Sequence, residues 1–139
     1  MALTTTTEQV EGRVPITVVA LDGELDASNY ERLIADVRDL YTRGTRAILL
    51  DLSGLTFLAS SGLVALHSIV SILHGQAADD LDSGWDVLHH LGHEAESGAT
   101  QREVQLAAPT PAVERVLQRT GMDRLFVVHA DRATGIASF

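Results

Sequence analysis

The sequence predicts an α/β fold in a single domain: a mixed, largely parallel sheet of about four or five strands packed with about four helices. Three observations predict it. Short β-branched or aliphatic runs alternate along the chain with amphipathic helical patterns, the order of a parallel sheet with right-handed crossovers. The run Ala47–Leu52, AILLDL, is apolar on both faces at its centre, as a strand covered from both sides must be. The 139 residues, 45% of them apolar, suffice to bury one core.

The elements follow in order. Leu3 to Val10 reads as an early edge strand that turns at Gly12. Pro15 to Leu21, PITVVAL, is β-branched and reads as a buried strand. Asp22-Gly23-Glu24-Leu25-Asp26 follows as a turn cluster. Ser28 and Glu31 have capping-box spacing, which predicts a helix start there. Tyr30, Leu33, Ile34, Val37, Leu40 and Tyr41 line one face of that helix, and Gly44 ends it as a left-handed cap. After Ala47–Leu52, the stretch Leu55 to Ala59 leads into Ser60-Ser61-Gly62. Leu63 to His74 is apolar nearly all round, the pattern of a deeply packed helix ending at Gly75.

The composition then changes. Residues 76–101 are acidic, rich in Gly, Ser and His, and poor in β-branched types. They read as an insertion into a core of about 14–75 and 102–137, with Ser83 and Asp86 placed to cap a helical turn bearing Trp85, Leu88 and Leu91. Glu103 to Ala107 alternates like a strand. Thr110-Pro111 starts a helix with Val113, Val116 and Leu117 on its buried face, and Gly121 stops it. Leu125 to Val128 is a short last strand, and Asp131 caps a short C-terminal helix.

Composition excludes several classes. The formal net charge is −9, all ten basic residues are arginines, and none falls between Arg46 and Arg102. Asp51, Asp79, Asp80, Asp82, Asp86, Glu94 and Glu96 fill that gap. No basic patch forms to neutralise phosphates, which argues against nucleic acid and anionic membrane surfaces as partners. No window approaches the roughly 20 apolar residues of a membrane span. The threonine-rich start has neither the basic nor the apolar region of an export signal. With no cysteine, thiol chemistry and cysteine-ligated zinc are excluded.

Three motifs in this order resemble the STAS family (sulfate transporter and anti-sigma factor antagonist domains). The first is Gly23-Glu24-Leu25-Asp26 at a strand end. The second is Ile48 to Ser53 followed by Leu55-Thr56-Phe57-Leu58-Ala59-Ser60-Ser61-Gly62-Leu63, similar to the family's strand, D-S-S-G-L loop and helix. The third is Val104 to Phe126, similar to its closing strand and P-x-V-x-x-x-L-x-x-x-G helix. The resemblance implies a bacterial, cytoplasmic anti-sigma factor antagonist in a partner-switching pathway: a binding protein rather than an enzyme, without cofactor or metal. Its partners would be an anti-sigma factor and that factor's serine kinase activity, and a homodimer stays open. The implied phosphoacceptor is Ser60, with Ser61 as the alternative. The resemblance implies Asp26 and the Ala59-Ser60-Ser61 loop as contact residues; Gly62 would let a partner approach the backbone closely, and Leu58, Leu63 and Val64 would flank the serine with apolar contact area. Ala59 departs from the pattern, because Asp usually precedes the phosphorylated serine. A non-switching STAS scaffold or an accessory subunit of a membrane transport system is the alternative function.

Each of these residues also has a plain structural role. Ser60 and Ser61 suit helix capping, and Asp26 suits a turn. His89 and His93, with His90 and Glu94 beside them, have helical spacing for two imidazoles but lack a full ligand set, so no metal site is expected. Ser60 at a strand-to-helix turn superficially resembles a hydrolase nucleophile. The leading Gly of that motif is missing, and His129 precedes Asp131, the reverse of the required order.

Overall fold

The computed structural model describes residues 2–75 and 101–139. Among the described residues five strands form one sheet: β1 (Leu3–Glu11), β2 (Pro15–Leu25), β3 (Ile48–Leu58), β4 (Gln101–Ala107) and β5 (Phe126–His129), side by side in chain order. β1 runs antiparallel to β2, and the remaining pairs are parallel. The α-helices among the described residues are α1 (Tyr30–Thr42), α2 (Ser60–Leu73), α3 (Pro111–Thr120) and α4 (Arg132–Ser138). The mixed, largely parallel sheet and its four helices are those the sequence predicts.

Period-two alternation sends β2 and β3 side chains to opposite faces. Val19, Leu21, Leu50 and Leu52 meet Leu33, Ile34 and Val37 of α1, Leu66 and Ile69 of α2, and Val113 and Leu117 of α3 in the main core. Ile16, Val18, Ala47 and Leu49 point the other way, where Ile136 and Phe139 cover them. Leu49 and Leu50 are both 0% exposed, so consecutive β3 residues are buried on both faces. Each such side chain contributes about 1.5–3 kcal/mol of transfer free energy.

The second, thinner layer is also held by charge. Arg132 of α4 donates from Nε (2.9 Å) and Nη2 (2.7 Å) to Asp51 Oδ2 on β3, and from Nη1 to Glu8 Oε2 on β1 at 3.0 Å. Asp131 caps α4 as expected, accepting from the Thr134 amide at 2.7 Å.

Several boundaries differ from the sequence reading, each for a physical reason. β2 continues through Asp22 to Leu25 instead of turning there. Register shifts at Ala20/Asp22 and Gly23/Glu24, with Gly23 at φ +115°, absorb the turn-type residues as a bulge inside the strand. β3 runs on to Leu58, and α2 begins at Ser60 rather than Leu63. The capping box at Ser28 and Glu31 does not form. α1 starts at Tyr30 after Asn29, whose side chain does not cap it, and Ser28 instead bonds back to Asp26. Thr110 stands at the α3 N-cap, but its hydroxyl donates to Leu55 O on β3 at 2.8 Å. Gly44 and Gly121 end their helices at φ +111° and +79° as expected. The turn around Trp85, the pair His89/His93 and the acidic run all lie outside the described residues.

Candidate partner-binding site

β2 and β3 are parallel neighbours and end together. Leu25 pairs with Leu58, and Leu25 O accepts from the Ala59 amide at 3.0 Å. This bond sets Asp26, the residue after β2, beside the loop that enters α2. The ends of parallel strands are where open α/β sheets present their functional groups.

Ala59 occupies the N-cap of α2 with extended backbone (φ −85°, ψ 172°), and its carbonyl accepts from the amides of Gly62 (2.9 Å) and Leu63 (3.3 Å). An alanine brings no side-chain acceptor, so no side chain caps α2. The capping role expected for Ser60 or Ser61 is therefore corrected: both are helical residues inside the first turn. Ser60 is exposed and Ser61 half-buried. The Ser60 hydroxyl thus stands at the positive end of a 14-residue helix.

Asp26 is braced from three directions. Its carboxylate accepts from the amide (2.9 Å) and hydroxyl of Ser28. Asn29 accepts the Asp26 amide at 3.0 Å and donates to Glu24 O at 2.8 Å. The Ser28 hydroxyl and then the Ser28 amide hold the Asp26 carboxyl below its usual range, so it is a fixed negative charge at neutral pH.

The other four expected contact residues are internal. Leu58 and Leu63 are 4% exposed and Val64 5%, and all three join the main core. Gly62 is buried too. A Cβ there would come to 2.5 Å from Leu58 Cδ1 and 3.0 Å from Leu25 Cγ, so the glycine serves close internal packing. What the site offers outwards is Asp26, Ala59, Ser60 and Ser61. One residue the sequence reading passed over joins them: Phe57, 46% exposed, paired with Glu24 two residues before Ala59. No sequence signal marks it: Thr56 and Phe57 are both exposed between buried Leu55 and Leu58, a break in alternation that only the fold reveals.

His129 and Asp131 are engaged elsewhere. His129 Nε2 lies 2.6 Å from Gln105 Oε1 and 3.1 Å from Ser138 Oγ, and Asp131 caps α4. Neither is bonded to Ser60. Among the described residues, no three His, Asp or Glu side chains cluster to hold a metal ion. No helix among them is long and apolar enough to cross a membrane.

A family model for the STAS domain matches residues 7–81, more than half of the chain. The chain belongs to the STAS domain family. No curated protein matches it significantly. Among solved structures, this STAS chain is similar to an anti-sigma factor antagonist from Mycobacterium paratuberculosis, at 20% identity and a TM-score of 0.67, covering 99% of this chain and 93% of that one. It is similar to a Thermotoga maritima protein provisionally assigned as an anti-sigma factor antagonist, at 19% identity and a TM-score of 0.69, covering 96% and 92%. It is also similar to the Bacillus cell fate determinant SpoIIAA in its phosphorylated form, at 20% identity and a TM-score of 0.59, covering 97% and 98%. At these identities the likeness establishes the STAS fold.

Proposed function

We propose that this STAS domain is a cytoplasmic anti-sigma factor antagonist, a binding protein without catalysis, that engages an anti-sigma factor through Asp26, Ala59, Ser60 and Ser61 and is released by phosphorylation of Ser60. Residues 76–100 belong to this proposal as an insertion in the single domain; the expected boundary at 101 is corrected, because Gln101 already stands in β4 and pairs with Phe126. The observation that carries the reading is Ser60 itself: an exposed hydroxyl in the first turn of α2, with no capping duty, beside a fixed carboxylate. The STAS neighbours named as anti-sigma factor antagonists support it.

The chemistry is consistent. Phosphorylation adds about −1.5 to −2 charges to a surface made for a neutral hydroxyl. The helix N-terminus can hold that dianion on the protein's own amides. A partner docked there meets both the new charge and Asp26, and like charges across an interface weaken it. Phe57 offers apolar area at the same edge, of the kind that anchors an interface.

A second reading, a non-switching scaffold or transport accessory subunit, is favoured by Ala59. Asp usually precedes the phosphorylated serine in this family, and alanine cannot help orient the hydroxyl for a kinase. One experiment separates the readings. Wild type, Ser60→Ala and Ala59→Asp are incubated with a cognate anti-sigma kinase and ATP, and intact mass is read. The antagonist reading expects one phosphate on wild type and none on Ser60→Ala. Phosphate on Ala59→Asp alone supports the scaffold. Equal phosphate on Ser60→Ala moves the acceptor to Ser61 or beyond.

A further inference from the structure

β1 is an edge strand, and among the described residues no strand pairs with its outer side. Thr6, Thr7, Glu8 and Gln9 are all exposed, and the strand pairs with β2 from Leu3–Gly23 to Glu11–Pro15 without a bulge. Antiparallel ladders alternate hydrogen-bonded and non-bonded pairs, which determines which backbone groups are spare. The Glu24 amide donates to Ala2 O at 3.1 Å, making Ala2–Glu24 a bonded pair. Along the unbroken register, Thr4–Asp22, Thr6–Ala20, Glu8–Val18 and Val10–Ile16 are bonded pairs as well. The backbone N–H and C=O groups of Leu3, Thr5, Thr7, Gln9 and Glu11 therefore point away from the sheet.

Natural edges are usually blunted by shortness, proline, lysine or a bulge. β5, the opposite edge, is four residues long, and its pairing with β4 carries a register shift. β1 has nine residues, LTTTTEQVE, with no proline and no basic side chain, and its threonines favour extended structure.

We propose that β1 pairs antiparallel with β1 of a second copy of this chain, about a twofold axis through Thr7, so that the two sheets become one. In that register Thr7 faces Thr7 of the second copy, Thr5 faces Gln9, Thr6 faces Glu8, Thr4 faces Val10 and Leu3 faces Glu11. Every outward amide finds a carbonyl, and no acid faces an acid. Charge selects this register over its neighbours. A slip of two residues one way sets Glu8 directly against Glu8, which is repulsive. A slip the other way leaves Val10 and Glu11 facing residues beyond the end of the strand. Arg132, 3.0 Å from Glu8, further neutralises the acid nearest the axis. A strand that complements itself over its whole length favours a copy of itself over an unrelated strand.

This inference is independent of the Ser60 reading. The test is sedimentation equilibrium of the full chain over a concentration series, with two variants. Wild type is expected to approach twice the 14.9 kDa chain mass as concentration rises. Thr7→Lys places two ammonium groups opposite each other at the axis and should raise the dimer dissociation constant about fivefold. Thr7→Pro removes the outward amide at the axis while leaving the β2 ladder intact, and should do the same. Thermal melts of both variants confirm that they remain folded. A wild-type mass fixed at 14.9 kDa up to the solubility limit overturns the proposal. So does a dimer whose dissociation constant neither variant moves.

Discussion

Asp51 lies on a strand whose neighbours are aliphatic, and it is 7% exposed. Such a carboxylate is tolerated only when its lone pairs are satisfied. Burial acts to raise its pKa. The Ser53 amide, 3.0 Å from Oδ1, and the Arg132 guanidinium outweigh that, leaving the carboxyl below its ordinary 3.8. The sequence could not announce this pair, because Asp51 and Arg132 are 81 residues apart. Gly62 was legible as special, but its reason was not, since Leu25 and Leu58 meet only once β2 and β3 align. A depressed carboxylate pKa contributes stability that is fully present above the unfolded value and is lost as pH falls through the folded value. The unfolding free energy should therefore decline below about pH 4, and part of that decline should belong to Asp51. Arg132→Ala should cost about 1–3 kcal/mol at neutral pH, the usual worth of a hydrogen bond to a charged group. It should also flatten the acid limb, because Asp51 then loses one of the groups that depress it. Urea unfolding from pH 7 to pH 2.5 measures both. An acid limb unchanged in Arg132→Ala would show that Ser53, through its amide and hydroxyl, lowers the Asp51 pKa without help from Arg132.

At the scale of the elements, periodicity was the readable signal, and tertiary contacts set the ends. α1 was visible from Leu33, Ile34 and Val37 because its buried face repeats at helical spacing. Its start was misread because Ser28 and Glu31 satisfy a local rule, whereas Asp26, held next to Ala59 by the sheet, captures the Ser28 hydroxyl. The extra length of β2 was hidden for a similar reason: Gly23 reads as a turn until a partner strand makes it a bulge. Asn29 carries what the capping box was expected to carry, joining Glu24 O to the Asp26 amide across the corner between β2 and α1. This contrast is measurable. Asn29→Ala should destabilise the fold by about 1 kcal/mol or more, since it frees two backbone groups at once. Ser28→Ala should cost less, about 0.5 kcal/mol, because the Ser28 amide still bonds Asp26. The ranking reverses if Ser28 caps α1 in solution, and paired chemical denaturation of the two variants decides it.

For the molecule as a whole, the question is whether one core closes without residues 76–100. The main core draws on three helices and four strands of the described residues, and its sheet face is complete from β2 to β5. The two ends that flank the segment are held together: His74, just after α2, lies 2.9 Å from Glu103 of β4, and this contact is the first cause of the lowered Glu103 pKa. β3 and β4 pair directly from Ile48–Val104 to Asp51–Ala107, so the crossover needs only to bring the chain from α2 back to the sheet. A linker of about eight residues reaches roughly 25 Å when extended, ample between ends already within side-chain contact. Replacing 77–99 by such a Gly/Ser linker cuts the loop to about a third, which changes closure entropy by only about 1 kcal/mol and in the favourable direction. The shortened protein should therefore unfold in a single cooperative thermal transition, with sheet and helix signals melting together. The composition of the segment, acidic and poor in β-branched residues, was the visible cue that it stands apart from the pattern on either side. Broad, non-coincident transitions in the shortened protein would mean that Trp85, Leu88 and Leu91 are needed to complete the core around α2, and the segment would then count as part of the domain's fold rather than an insertion in it.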